Sequence, residues 1–295
     1  MSYRAFDLMT RPARGAELWR LALGLILAML VTYGLGQGVI AMAALVLPRE
    51  SYWALIAQME RGETPVGLLA LLFNAGTMGI GALVAAQTLH RRAPASLFGP
   101  LPLALRQFLR VAAAVAVLYI VIAALPPWTQ AETLVPGLAP ERWLTLLPLT
   151  LTALLIQTGS EELLFRGYLQ SQLAARLHHP AVWLIAPSAL FALGHWAPGV
   201  YGGNAGLVVL WAFAFGLSAA DLTARAGTLG PAIALHLLNN LAAIAIVSPQ
   251  GLMSGLALFL LPFDPADEAA VRALLPLDLI SVFLSWLTAR IVLRV

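Results

Sequence analysis

The run LWRLALGLILAMLVTYGLGQGVIAMAALVL, from Leu18 to Leu47, contains thirty residues and a single charge, at Arg20. An α-helix needs about 20 apolar residues to cross the hydrocarbon core of a bilayer. The run is therefore long enough for one crossing with some tilt. It is also far longer than the apolar region of a secretory signal peptide, although Ala41-Met42-Ala43 resembles a cleavage site. Removal of the first span stays open.

The composition of the whole chain agrees with a membrane protein. Of 295 residues, 60% are hydrophobic and 11% are charged, with a mean hydropathy of +0.85. A soluble domain has about 45–50% apolar and about 25% charged residues, so a soluble globule and a disordered chain are both excluded. The 17 basic residues are all arginine, which we place beside membrane lipid headgroups and not on a nucleic acid. The chain has no cysteine and no lysine, which excludes thiol, Schiff-base and Ser–Lys chemistry.

Seven further apolar runs predict an all-α, polytopic membrane helix bundle of about eight transmembrane helices. The bundle forms one domain over residues 1–295 and should enclose a polar intramembrane cavity. The further runs are 66–89, 108–125, 143–164, 181–196, 205–223, 229–247 and 274–293. Another apolar stretch, from Gly251 to Phe263, has 13 residues, a length that suits a re-entrant or interfacial segment.

The arginines are distributed unevenly between the two sides of the predicted bundle. With the N-terminus in the cytoplasm, the cytoplasmic segments hold 13 arginines and the opposite loops hold four, at Arg49, Arg61, Arg142 and Arg272. Cytoplasmic loops are enriched in basic residues. We therefore predict an even number of spans, both termini in the cytoplasm, and a location in the cell (inner) membrane of a prokaryote.

Charged residues inside the spans are the candidates for function because each costs at least ~2.5–3.5 kcal/mol near the bilayer centre. In the fourth span, Glu162 and Arg166 are four residues apart, so they share a helix face and can form an ion pair. Glu161 is rotated about 100° from that face and remains a free carboxylate for general-base work. The alternative is that all three extend toward water at the cytoplasmic interface. Asp221 and Arg225 have the same spacing and can also pair.

Two further spans carry histidine. Phe191 and His195 form a Phe-x-x-x-His sequence, and His236 and Asn240 share one helix face four residues apart. Taken singly, His195 fits a satisfied core histidine, and His236 with Asn240 fits a hydrogen-bonded pair between helices. Taken together with Glu161, these groups can bind and deprotonate a water. They can also donate hydrogen bonds to the oxyanion that forms when water attacks an amide carbonyl.

A divalent metal such as zinc would use the same residue types, with Glu161, His195 and His236 as its ligands. The chain has no His-Glu-x-x-His sequence, so the zincin arrangement is absent. At this point the residues leave both a metal site and a mechanism without a cofactor open.

Three motifs in order also carry a family resemblance. They are Glu-Glu-x-x-x-Arg at 161–166, Phe-x-x-x-His at 191–195 and His-x-x-x-Asn at 236–240. Together they resemble the CPBP family of intramembrane proteases, also called the CAAX protease, bacteriocin-processing or ABI family, which includes the type II CAAX prenyl endopeptidases. The motif-bearing catalytic core covers about residues 145–248.

The resemblance implies an intramembrane endopeptidase that acts on a membrane-associated peptide or protein, with lipidated CAAX-like substrates as one option. It implies that Glu161 activates the water with help from His195. It assigns the binding of the substrate carbonyl and its oxyanion to His236 and Asn240. It favours a glutamate mechanism without metal, with zinc as the alternative.

The same resemblance implies that Glu162, Arg166 and Phe191 support the site.

The resemblance also requires Glu161 and His195 to lie at similar depths in the membrane. The predicted topology places Glu161 near the cytoplasmic end of its span and His195 near the opposite end of the next one. We therefore expect the fifth span to bend, to start later or to be longer than 181–196.

Two other classes of protein compete with an enzyme. The first is a non-enzymatic membrane scaffold or a bacteriocin-immunity-type protein of the same fold. The second is a transporter, which should show inverted repeats and broken helices in both halves. No motif in the first half of the chain matches one in the second.

Overall fold

The computed structural model describes residues 3–15, 17–126 and 133–295, and its regular structure is almost all helical. The α-helices in this part of the chain are α1 (Asp7–Thr10), α2 (Leu18–Val46), α3 (Arg49–Arg61), α4 (Pro65–Ala75), α5 (Thr77–His90), α6 (Leu101–Ala124), α7 (Pro140–Glu162), α8 (Ser171–Ala174), α9 (Pro180–Leu193), α10 (Pro198–Tyr201), α11 (Ala205–Ala226), α12 (Gly230–Asn240) and α13 (Glu268–Leu293). Two π-helical segments, Leu163–Gln170 and Leu241–Ile246, continue α7 and α12.

The only sheet in the described ranges is small. Its strands are β1 (Val135–Pro136), β2 (Val247–Ser248) and β3 (Phe259–Leu260), in the order β1-β3-β2. Strand β3 pairs antiparallel with β1 and parallel with β2. The sheet therefore joins the chain before α7 to the chain after α12.

Six helical runs are long and apolar enough to cross a membrane. They are Leu18–Val46, Pro65–His90, Pro94–Ala124, Pro140–Ala174, Pro198–Ala226 and Glu268–Leu293. The predicted fifth and seventh spans correspond to two shorter apolar helices, Pro180–Leu193 and Gly230–Ile246. Each of the eight predicted spans thus has a helical counterpart, and the all-α membrane bundle is confirmed.

The connections between helices collect at two opposite ends of the bundle. At one end, which we call the terminal end, Asp221 accepts hydrogen bonds from Tyr3 of the N-terminal segment and from Trp286 of the last helix. At the other end, the Asn204 side chain donates to the carbonyl of Glu268, at the start of α13. The beginning and the end of the chain therefore lie at the same end of the bundle.

Small residues bring α5 against its neighbours beside the candidate site. A Cβ atom on Gly79 would lie 2.7 Å from the hydroxyl oxygen of Ser160, the residue before Glu161. A Cβ atom on Gly81 would lie 2.5 Å from the carbonyl oxygen of Ala28 in α2. Helices in a membrane pack closely where such small residues meet. The glycines therefore fix the distance of α5 from α7 near Glu161.

Two elements differ from the expectations, and one stretch agrees with them. The second span is divided at Gly76 into α4 and α5, and the loop expected between the first two spans contains α3, which has no buried residue. The stretch Gly251 to Phe263 contains no helix. It forms turns and strand β3, and buries Leu256 at the end of the bundle opposite the termini. The stretch therefore does not form a spanning helix, as its length predicted.

The fifth span is α9, from Pro180 to Leu193, so it neither starts later nor extends further than expected. Helix α9 has 14 residues and a length of about 21 Å, less than the ~30 Å of a hydrocarbon core. His195, two residues after its end, therefore lies about 20 Å from the start of α9. Glu161 lies 13 residues before Ala174, the end of its own helical run, or about 20 Å. The two residues thus lie at similar distances from the terminal end.

Candidate active site

An ion pair between Glu162 and Arg166 lies at the centre of the site, and both side chains are 0% exposed. Glu162 Oε1 accepts from Arg166 Nη1 at 3.0 Å and from His236 Nδ1 at 2.8 Å. Arg166 Nη2 also donates to the carbonyl of Gly216 at 3.2 Å. The predicted ion pair is therefore present. The alternative, in which these two side chains extend toward water, is wrong because both are fully enclosed.

The two motif helices have the same local construction. Glu162 is the last residue of α7 and Asn240 is the last residue of α12, and a π-helical segment follows each of them. A π-helical turn inserts an extra residue per turn and often occurs at functional sites. Both candidate motifs therefore lie where the regular α-helical hydrogen bonding changes.

Glu161 has a local partner that sequence reasoning missed, Gln157. The Gln157 side chain donates to Glu161 Oε1 at 2.6 Å and accepts from Asn240 Nδ2 at 3.0 Å. On its other side, Glu161 Oε2 lies 3.7 Å from His236 Nε2, and the Glu161 side chain is 18% exposed. The sequence signal for this contact was an amide side chain in an apolar run, one helical turn before Glu161.

His236 is buried, and aromatic rings surround it. Its ring centroid lies 4.8 Å from that of Phe215 and 5.9 Å from that of Phe191. Because the Glu162 carboxylate accepts from Nδ1, this nitrogen carries a proton and Nε2 faces Glu161. The expectation that His236 and Asn240 share a face is confirmed, since both contact residues of α7.

His195 joins this cluster only through Phe191. Its Nδ1 lies 3.0 Å from the Phe191 carbonyl, and the two ring centroids are 4.7 Å apart. The guanidinium carbon of Arg166 also lies 4.6 Å from the Phe191 ring centroid, a cation–π distance. Phe191 thus contacts three polar members of the site. Within the described chain, His195 makes no hydrogen bond or ion pair with Glu161 or His236.

The candidate metal ligands do not fit a metal ion in this arrangement. In residues 3–15, 17–126 and 133–295, no group of three or more His, Cys, Asp or Glu side chains is placed to hold one. His195 Nδ1 faces the Phe191 carbonyl and His236 Nδ1 faces Glu162, so Nε2 is the ring nitrogen that each histidine has available.

The fold and this cluster define a polytopic membrane protein with a charged and amide-rich site among its helices. Residues 143–242 match the family model described as Type II CAAX prenyl endopeptidase Rce1-like, which confirms the resemblance carried by the three motifs. The matched residues include every candidate site residue from Glu161 to Asn240. The matched family is a protease family, which supports the interpretation of the chain as an enzyme. No curated protein and no solved structure matches the chain.

Proposed function

We propose that the protein is an intramembrane endopeptidase in which Glu161 activates a water for attack on a peptide bond. The observation that carries this proposal is the position of His236 between two glutamates. Its Nδ1 lies 2.8 Å from Glu162 and its Nε2 lies 3.7 Å from Glu161. The match to a protease family supports the same class of reaction.

The proposed reaction uses His236 with a proton on each ring nitrogen. Glu161 and Glu162 carry two negative charges, and Arg166 carries one positive charge. A protonated His236 makes the group of four electrically neutral, and charges in a membrane interior persist when they are paired. In this form Nδ1 donates to Glu162, and Nε2 donates toward the substrate.

In the proposed reaction, a water bound at Glu161 Oε2 transfers a proton to this carboxylate and attacks the carbonyl carbon. The oxyanion that forms accepts hydrogen bonds from His236 Nε2 and from Asn240 Nδ2. One Asn240 N–H is held by Gln157, which leaves the other free for the oxyanion. When the carbon–nitrogen bond breaks, protonated Glu161 gives its proton to the leaving amine.

His195 has a supporting part in this proposal. Its Nδ1 is directed at the Phe191 carbonyl, so the lone pair is on Nε2. In the proposal, this nitrogen accepts a hydrogen bond from the water or from the substrate amide. It thereby orients the reactants beside Glu161.

The proposed substrate is a membrane-associated peptide or protein. The family description names CAAX prenyl endopeptidases, so a lipidated C-terminal segment is the first substrate class to test. We place the protein in the cell membrane with its arginine-rich terminal end toward the cytoplasm, as the distribution of arginine favours.

The test compares protein termini in host cells that carry wild type, Glu161→Gln or Glu141→Gln at matched membrane levels. Glu141 is exposed and lies in the first turn of the same helix, so its variant removes an equal charge outside the site. We expect termini that appear with wild type and with Glu141→Gln but not with Glu161→Gln. These termini would identify both the substrate and the cleaved bond.

The same experiment separates the enzyme from the scaffold or immunity-type protein. Cleavage that persists in Glu161→Gln would disprove the role of Glu161 as the base. If wild type generates no new terminus under any growth condition, a non-enzymatic function replaces the protease. Crosslinking to a partner protein would then be the next measurement.

A further inference from the structure

A polar pocket lies at the terminal end of the bundle, away from the candidate active site. It has a volume of about 270 Å³ and lies where the start of α2 meets the end of α5. Its charged and polar lining residues are Arg14, Glu17, Arg20, His90 and Arg91. Neither the three motifs nor the proposed reaction uses any of them.

Positive charge exceeds negative charge around this pocket. Arg20 forms an ion pair with Glu17 at 2.7 Å, and Arg14 forms one with Asp7 at 3.3 Å. Arg91 is exposed and makes no hydrogen bond or ion pair within the described residues. Its φ of 50° is a left-handed conformation that favours glycine at a helix C-terminus. The chain therefore has a guanidinium at a position where the backbone would favour glycine.

The neighbouring side chains place the pocket at the depth of lipid headgroups. Trp19 is 55% exposed and follows Leu18, the first residue of the long apolar helix α2. The Arg20 guanidinium carbon lies 5.1 Å from the Trp19 ring centroid. Tryptophan is enriched where the hydrocarbon core meets the headgroups. An arginine stacked on such a tryptophan is at the level of lipid phosphates.

His90 supplies a further polar group to the lining. Its Nε2 lies 2.8 Å from the hydroxyl oxygen of Tyr168, a residue of the first π-helical segment. Its Nδ1 is enclosed and has no hydrogen-bond partner in the described part of the chain. With the Tyr168 hydroxyl as donor to Nε2, the Nδ1 nitrogen carries the proton.

We infer that this pocket binds the phosphate group of an anionic phospholipid in the leaflet at the terminal end. Arginine binds phosphate through two parallel N–H···O hydrogen bonds, and Arg91 and Arg14 have exposed guanidinium groups for this contact. The lipid chains would lie along the exposed apolar face of α2, which includes Leu23 and Ile26. This site does not depend on the proposed protease activity.

The test uses the full chain in bilayer discs that contain phosphatidylcholine with a small fraction of phosphatidylglycerol. The phosphatidylglycerol retained by the protein after detergent extraction is measured by native mass spectrometry. The variant Arg14→Gln/Arg91→Gln removes two pocket charges. The matched control is Arg106→Gln/Arg110→Gln, which removes two exposed charges from α6 near the same end of the bundle.

We expect the affinity for phosphatidylglycerol to fall about 10- to 30-fold in the pocket variant and to stay unchanged in the control. Arg91→Gly should also weaken lipid retention, while it raises the thermal unfolding temperature by relieving the left-handed backbone. Equal retention in the pocket variant and the control would overturn the inference. Displacement of the lipid by inorganic phosphate at similar concentration would also overturn it, since free phosphate would then be the ligand.

Discussion

Two acid–arginine pairs with the same spacing lie in very different surroundings. Glu162 and Arg166 are four residues apart, and their side chains are 0% exposed. Asp221 and Arg225 are also four residues apart, at 2.7 Å, and their side chains are 14% and 9% exposed. Helix geometry alone explains why each pair forms.

The partners of the two carboxylates differ in what they connect. Asp221 accepts from Tyr3 and Trp286 as well as from Arg225, so it joins three parts of the chain at the terminal end. Glu162 accepts from His236, but its Oε2 has no hydrogen-bond partner among the described residues. The Asp221–Arg225 pair completes a structural junction, whereas the Glu162–Arg166 pair orients a histidine that faces another carboxylate.

The largest expected effect on stability is at the enclosed pair. Glu162→Ala removes the ion-pair partner of the enclosed Arg166 guanidinium, which should lower the free energy of unfolding by about 3–5 kcal/mol. Folded yield, and unfolding measured in mixed micelles, check this prediction. Cleavage should be lost as well, because His236 loses the acceptor for Nδ1. Wild-type stability in this variant would show that Glu162 does not neutralise Arg166.

The next effect concerns activity more than stability. Gln157→Ala removes the amide that holds both Glu161 and Asn240, so the turnover rate should fall about 10- to 100-fold through loss of their relative position. Thr152→Ala in the same helix is the control, since Thr152 bonds only to the backbone carbonyl of Pro148 among the described residues. An unchanged rate in Gln157→Ala would mean that the two hydrogen bonds do not position the reacting groups.

At the second pair, Asp221→Asn should affect stability alone. The loss of a carboxylate that accepts from Arg225 should cost about 2 kcal/mol of unfolding free energy. Cleavage per folded molecule should stay at the wild-type level, because Asp221 contacts no member of the candidate site. Thermal unfolding and activity of the same sample measure both quantities. A loss of activity per folded molecule would show that the Asp221–Arg225 pair also supports the site, and would contradict the distinction between the two pairs.

The smallest effect is expected at the edge of that junction. Tyr3→Phe removes one hydrogen bond to Asp221 and keeps the ring contact with Trp183, whose centroid is 5.1 Å away. We expect a loss of about 1 kcal/mol in unfolding free energy. Trypsin digestion should show whether the N-terminal segment opens more often. Equal protection of the two proteins would mean that ring packing alone holds the segment.

Much of the fold was predictable because membrane spans depend on local composition. Each apolar run longer than about 18 residues became a helix, since a backbone in lipid must satisfy its own hydrogen bonds. The division at Gly76 and the short helix α9 were not predictable from hydropathy. The position of the break and the length of α9 both depend on which helices pack against the chain at those positions.

The candidate site was predicted in part for the same reason. The pairing of Glu162 with Arg166 and the shared face of His236 and Asn240 follow from helix periodicity. The bridge made by Gln157 was missed, because its importance depends on the distance from α7 to α12. The proposed metal ligands do not form a group that could hold a metal ion in the described residues, and the sequence alone could not show this because the three residues lie on three different helical segments.

By itself, the sequence determined the all-helical membrane bundle, the order of its three motifs and the two ion pairs at four-residue spacing. These features depend on interactions within one helix or between one helix and lipid. Only the tertiary structure decided that Glu162 is fully enclosed and accepts from a histidine 74 positions away, while Asp221 stays near the terminal end. Contacts between distant segments depend on how helices pack. The periodicity of a single helix does not indicate which other helices pack against it.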